Sequence, residues 1–317
     1  MKVTEHIKNA KSTIFSIEIL PPLKGKSIKE IFDCIDPLME FKPPFVDVTY
    51  HREEFVYRKR ASGYLEKVSI RKRPGTVGIC AGIISRYKVD PVPHLICGGF
   101  TRHETENALI DLSFLGIENI LVLRGDARKN EGSFIPEPEG HHYAIDLMAQ
   151  VTAMNHGKYL DPDLNHADQT NFCIGVAGYP EKHFEAPNLK VDLHHLKRKV
   201  EEGADYIVTQ MFFDNQKYIE FVKACRDLNI TVPIIPGLKP ITTRSQIANI
   251  PKSFYLDIPE QLTDEIMKCK NDEEAKQVGI EWCIQQSKEL IKYGVPCLHY
   301  YTMSKPEPVV KIARAVF

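Results

Sequence analysis

The chain has 317 residues, with 41 Lys+Arg against 42 Asp+Glu and 43% hydrophobic residues. That is enough apolar material for a large core, and it excludes a disordered chain or a disulfide-stapled miniprotein. The near-neutral charge argues against a nucleic-acid binder, and the lack of a long apolar run or signal core predicts a cytoplasmic protein with no membrane association.

Residues 13–20 read as a first strand, stopped by Pro21 and Pro22. Ile28, Ile31, Phe32, Ile35, Leu38 and Met39 then recur at spacings of three and four, an amphipathic helix. Residues 45–50 form a second strand, and the charged stretch after it, to about Ile70, is read as helical. A helix over 76–85 leads into a strand at 92–97, followed by a helix at 104–115 and a fourth strand at 119–123. A Pro/Gly/Glu-rich loop at 129–140 precedes a helix at 143–154, a polar linker at 155–170 and a strand at 172–177. Next come a helix at 189–202, a strand at 206–212, a helix at 218–228 and a strand at 233–236. A helix near 243–250, an extra helical stretch, a helix at 275–293, a strand at 297–301 and a helix at 308–315 close the series.

Eight strands, each followed by a helix, demand a parallel sheet with helical crossovers, and in about 300 residues they fit a (β/α)8 TIM barrel. One domain over residues 1–317 with extra helices is therefore expected. A dinucleotide fold would want G-x-G-x-x-G after its first strand, where this chain has Pro21-Pro22-Leu23-Lys24. The eight cysteines form no C-x-x-C and five lie in apolar runs, so they read as reduced core thiols. No H-x-H or H-E-x-x-H is present, and no metal is expected.

In such a barrel, chemistry gathers where strands end. Those positions hold Glu18, Thr49, His94 (at the start of the third strand), Arg124-Gly125-Asp126, Tyr179-Pro180-Glu181, Gln210 in the sixth strand, Lys239, Tyr301, Ser304 and Lys305. Alternation puts Ser16, Glu18 and Leu20 on one face. If that face is inward, Glu18 is a desolvated acid suited to proton donation; if outward, it pairs with a helix lysine. Asp126 reads as a ligand-side carboxylate or as a turn or cap residue. In the helix at 189–202, Asp192, His195 and Lys199 share a face beside the apolar stripe, whereas Arg198 falls opposite that stripe, toward solvent.

Several segments together resemble methylenetetrahydrofolate reductase. They are Ser16-Ile-Glu18-Ile-Leu-Pro21-Pro22, Phe45-Val-Asp-Val-Thr49-Tyr50, Leu123-Arg124-Gly125-Asp126 and Val176-Ala-Gly-Tyr179-Pro180-Glu181-Lys-His183. Further on, Leu196-Lys-Arg198-Lys199, Thr209-Gln210-Met-Phe-Phe-Asp214, Ile235-Pro236-Gly237-Leu-Lys-Pro240 and His299-Tyr-Tyr301-Thr302 continue the family's order to the end. The resemblance implies a barrel holding FAD, reduced by NADH or NADPH and then oxidised by 5,10-methylenetetrahydrofolate, which becomes 5-methyltetrahydrofolate for methionine synthesis. It implies a homo-oligomer, with Glu18 as general acid and Asp126 beside flavin and pterin. Gln210, Gln246, Tyr301 and Lys305 would face the folate. Thr49, His94, Arg124, Gly125, Asp126, Ala177, Tyr179, His183, Asp192, His195, Arg198 and Lys199 would hold FAD.

Two departures stand out: Ser304-Lys305 replaces the family's Asn-Arg, and Ile250 occupies a position the family can give to an aromatic ring. No regulatory domain, and so no adenosylmethionine site, is expected. The rival readings are a cofactor-free barrel hydrolase or aldolase using Glu18 and Asp126, and a folate- or flavin-binding protein without catalysis.

Overall fold

The computed structural model describes residues 1–128 and 131–317, so the loop expected at 129–140 has its first two residues outside the described set. The chain opens with helix α1 (Val3–Asn9) and strand β1 (Ile14–Ile19). Helix α2 (Lys29–Ile35) runs through a 3-10 turn (Asp36–Phe41) into β2 (Phe45–Val48). Then come β3 (Glu54–Lys59), β4 (Leu65–Ile70), α3 (Thr76–Tyr87), β5 (Asp90–Ile96), α4 (Arg102–Phe114) and β6 (Asn119–Leu123). The middle of the chain supplies α5 (Ala144–Asn155), β7 (Cys173–Gly178), α6 (Leu189–Glu201), β8 (Tyr206–Thr209) and α7 (Asn215–Asp227). Last are β9 (Ile234–Ile235), β10 (Gly237–Leu238), α8 (Gln246–Phe254), α9 (Glu260–Lys268), α10 (Asp272–Tyr293), β11 (Cys297–Tyr301) and α11 (Pro306–Val316).

Nine strand segments pair in the order β10-β11-β1-β2-β5-β6-β7-β8-β9. Each adjacent pair is parallel. The two ends of that list are halves of one stave: β9 pairs with β8, β10 pairs with β11, and Pro236 separates them. Proline has no N–H to give a ladder, so a break there is its ordinary consequence. The result is the expected parallel, TIM-like barrel, nearly closed.

Several helices begin at side-chain caps that the sequence supplies. Thr101 Oγ1 accepts from Glu104 N at 3.2 Å while Glu104 returns the favour to Thr101 N at 2.7 Å, a reciprocal cap. Asn188, Asp214 and Asn271 cap α6, α7 and α10 in the simpler way, and Gly294, at φ 94°, ends α10 in the left-handed region. All eight cysteines are free and buried, including the three, Cys34, Cys225 and Cys269, that lie outside the apolar runs.

One expectation fails, and two elements are present with shifted ends. The charged stretch after the second strand is not a helix: β3 and β4 form an antiparallel hairpin around Ala61-Ser62-Gly63, with Gly63 at φ 85°. Its charges sit across from each other, Arg58 opposite Glu66, so they stabilise a ribbon as readily as a helix face. The helix expected near 243–250 starts at Gln246 and continues to Phe254 despite Pro251. The sixth strand ends at Thr209, so Gln210 lies in the loop beyond it.

Helix α1 went unforeseen, and it closes the barrel floor. Val3 is fully buried against Ile14, Phe45, Val92, Cys173 and Cys297, the lowest inward layer of the staves. Val3 N donates to Asn119 Oδ1 at 2.8 Å, and His6 Nε2 lies 2.7 Å from Asp90 Oδ2. Gly175 makes room in the same interior, since a Cβ there would run into the ring and hydroxyl of fully buried Tyr206. Gly175→Ala is expected to overpack this layer at a cost of about 1–3 kcal/mol and to lower the thermal midpoint. An unchanged unfolding curve would show that the Tyr206 ring yields.

Candidate active site

The floor is apolar and sealed, and polarity rises toward the opposite end. Inward alternation along β1 carries Ser16 and then Glu18; along β2, Asp47; along β5, His94; along β11, His299 and Tyr301. Glu18 therefore takes the inward alternative, with its side chain 16% exposed. His94 Nε2 stands 3.6 Å from Glu18 Oε2 and 3.4 Å from Asp47 Oδ2, between the two carboxyls. Burial pushes Glu18 up to about 7; His94 pulls it down, and the neighbouring Asp47 carboxylate pushes it further up. Burial likewise raises Asp47 to about 6, with His299 opposing. Tyr301 donates its hydroxyl to Thr209 O at 2.6 Å, and its ring lies over Gly237, where a Cβ would not fit.

His94 thus lies within β5 rather than at its start, and it is nearly inaccessible. Asp47 and His299 were not singled out by sequence reasoning. Their parity with Glu18 and Tyr301 was the available signal.

A second group lines the rim beyond β6, β7 and α6. Arg124 is paired with Glu185 (2.9 Å through Nη2) and lies over the Phe134 ring at 5.2 Å. Gly125, at φ 84°, fits closely against Ile96. Asp126 is exposed, and Thr49 Oγ1 lies 3.3 Å from His51 Nε2. Asp192 accepts from the backbone N–H of His183 at 2.9 Å, and the His183 ring packs edge-on against Tyr179 at 4.8 Å. Lys199 reaches under this loop to donate to Ala177 O at 2.8 Å. Its burial drives it down to about 8, against the pull of Asp192. His195 and Arg198 are exposed on α6, as the helical wheel indicated for Arg198.

On the other side of the mouth, Gln210 Oε1 accepts from the next backbone N–H, that of Met211, at 2.9 Å. Gln246 Oε1 accepts from Thr242 N at 2.7 Å and so pins the loop ahead of α8. Ile250 is buried with Met211, Phe213, Leu256 and Leu262, which makes it a packing residue. Lys239 is 9% exposed, while Lys305 is exposed at the start of α11. A cavity of about 940 Å³ lies beside the mouth, under the β3–β4 hairpin, with Tyr50, Arg71, Thr76, Phe100 and Arg128 in its wall. None of the site residues named from sequence lies on it.

A barrel with a desolvated carboxyl in its mouth and a cation-lined rim over its fourth and fifth staves belongs to the class of (β/α)8 enzymes. The family profile described as methylenetetrahydrofolate reductase matches residues 2–316, and the chain belongs to that family. The 5,10-methylenetetrahydrofolate reductase of Salmonella typhimurium is 32% identical over 92% of this chain and 86% of its own length. Methylenetetrahydrofolate reductase (NADH) 1 of Arabidopsis thaliana is 31% identical over 98% of this chain and 50% of its own length. The chain spans about half the length of the plant and animal relatives it matches. Among solved structures, a protein of Clostridium thermocellum described as binding two copies of 5-methyl-5,6,7,8-tetrahydrofolic acid superposes with a TM-score of 0.60 at 16% identity, covering 98% of this chain and 97% of that one. At that identity the likeness shows the fold.

Proposed function

We propose that the protein reduces 5,10-methylenetetrahydrofolate to 5-methyltetrahydrofolate, with FAD as resident cofactor and a reduced pyridine nucleotide as electron donor. The observation that carries this reading is Glu18, an inward carboxyl in the barrel mouth that holds its proton to about pH 7, set in a chain of this family. The family match favours this reading over a cofactor-free hydrolase or aldolase, which would purify colourless, and a mere binder has no use for a desolvated acid.

The rim suits FAD. A buried ammonium held by a single carbonyl, with Arg124 close by and a neutral His183 ring kept uncharged by burial and by Arg124, offers cations and a hydrogen-bond donor to a diphosphate, and Asp192 offers a carboxylate to a ribose. Thr49, His94, Gly125, Asp126, Ala177 and Tyr179 would complete the bed, with His195 and Arg198 at its solvent edge. Bound there, the flavin supplies hydride transfer in both directions. Glu18 gives its proton to a ring nitrogen of the folate as the five-membered ring opens to the iminium, and Asp126, Gln210 and Tyr301 orient the pterin. Purified protein should be yellow and release FAD on denaturation. A colourless protein that takes up no FAD would refute the reading.

The folate's glutamate tail would meet a cation at the eighth stave. Lys305 is a point charge where the family has a forked arginine, so it makes one geometry-tolerant contact. Lys305→Ala is expected to raise the KM for the folate at low salt, with the effect shrinking as salt rises and flavin reduction by the nucleotide little changed. Unchanged folate kinetics would move the tail to Lys239. That ammonium is held down to about 8 by burial and by Lys305, and Lys239→Met would then show the same KM effect.

A further inference from the structure

The reading above uses Glu18 and, at the edge of the flavin bed, His94; it leaves Ser16, Asp47 and His299 unexplained. Four neighbouring staves, β11, β1, β2 and β5, send His299, Ser16, Asp47 and His94 into the barrel interior around the acid, with Asp47 paired in register with Glu18 and Ser16 with His299. These residues are 0–5% exposed. Ser16 Oγ engages His299 Nδ1 at 2.9 Å. His299 Nε2, Asp47 Oδ2 and His94 Nε2 have no hydrogen-bond partner. Buried polar atoms are normally paired, and apolar side chains would fill the same layer without that penalty. A set of orphaned groups in a barrel interior therefore needs a reason.

We propose that Asp47, backed by His299, is a positioning residue that acts beside His94 to keep Glu18 in its acid form. The proposal rests on Glu18 acting as the proton donor described above. Asp47 and Glu18 stand on paired strands at paired positions, and His94 lies between their carboxyls at 3.4 and 3.6 Å. An ionised Asp47 makes a second negative charge on Glu18 costly, so the proton stays on Glu18. Burial holds His94 down against the pull of Glu18, which weakens its opposing effect on Glu18 and leaves that of Asp47 to act. The remaining groups facing this row do not upset the sign. Tyr301 faces Glu18 and Asp47 from β11, and its burial keeps it un-ionised. Tyr206 from β8, Cys297 from β11 and Cys80 from α3 face Asp47, all raised by burial and neutral. His51 above the mouth faces His94 and is likewise held down by burial.

The test is the pH profile of each half-reaction, followed by stopped flow in the holoenzyme. In wild type, oxidation of the reduced flavin by methylenetetrahydrofolate should fall as pH rises through about 7. Asp47→Asn removes the charge and keeps the shape. Its falling limb is expected to move down by about one pH unit, a further ~10-fold loss at pH 8 relative to its own low-pH plateau. Flavin reduction by NADH should keep its wild-type pH profile. His299→Gln gives a second arm: burial holds His299 down as well, so its hold on Asp47 is partial, and without it Asp47 keeps its proton to higher pH and the limb should shift the same way by less. A limb that stays in place in both variants overturns the proposal, and so does an equal loss in the two half-reactions at every pH. A wild-type enzyme whose reduced flavin is not oxidised by the folate overturns the functional reading beneath it.

Discussion

Replacing Glu18 by glutamine is expected to slow oxidation of the reduced enzyme by methylenetetrahydrofolate by ~10²-fold or more, the usual worth of a positioned acid. Glutamine keeps the size and the hydrogen bonding but carries no transferable proton. Reduction of the flavin by the nicotinamide donor needs no acid from this position and should survive. The pH dependence has a definite sign. The acid form is the working form and Glu18 holds its proton to about 7, so the wild-type folate step should be fast below neutrality and decline above it. The glutamine variant should lose that decline along with the rate. An equal loss in both half-reactions would make Glu18 a structural support of the mouth.

The second large effect is expected at Lys199. Its ammonium is buried, held by one carbonyl, and placed under the loop that carries Tyr179 and His183. A charge-assisted contact to a phosphate is worth about 1.5–3 kcal/mol, so Lys199→Met should weaken FAD retention by ~10- to 100-fold. Arg198 is exposed on the preceding position of α6, and Arg198→Ala alone should cost less. Retained flavin after extensive dilution of the Lys199→Met, Arg198→Ala double variant would place the diphosphate elsewhere.

The barrel was legible because period carries it: apolar runs alternating with segments of spacing three and four admit few architectures. Helix α1 was not, because seven residues with apolar Val3 and Ile7 make no visible stripe, and their partner is a barrel floor that exists only after folding. The β3–β4 hairpin was not legible because cross-strand charge pairs and helical charge pairs look alike in sequence, and a lone Gly63 turn does not separate the two. Within the site, alternation showed which residues of a strand share a face but not how deep each one sits. Glu18 at the mouth and Ser16 below it have the same parity, and so do Tyr301 and His299. That Asp47 approaches Glu18 through His94 depends on the stagger of three staves, which no local pattern encodes. The family resemblance named Arg198 and Lys199 together. The helical wheel separated them, and the structure places one in solvent and one under the rim.

The central claim is that one flavin site serves both substrates in turn, and anaerobic single-turnover spectroscopy tests it most directly. Holoenzyme is bleached with one equivalent of NADH or, in a second series, NADPH. The nucleotide is removed, and methylenetetrahydrofolate is added while flavin absorbance and folate products are followed. The account predicts full return of the oxidised flavin spectrum, with about one 5-methyltetrahydrofolate formed per flavin. Reduced flavin that persists in the presence of methylenetetrahydrofolate, or colour that returns without methyl product, would contradict it.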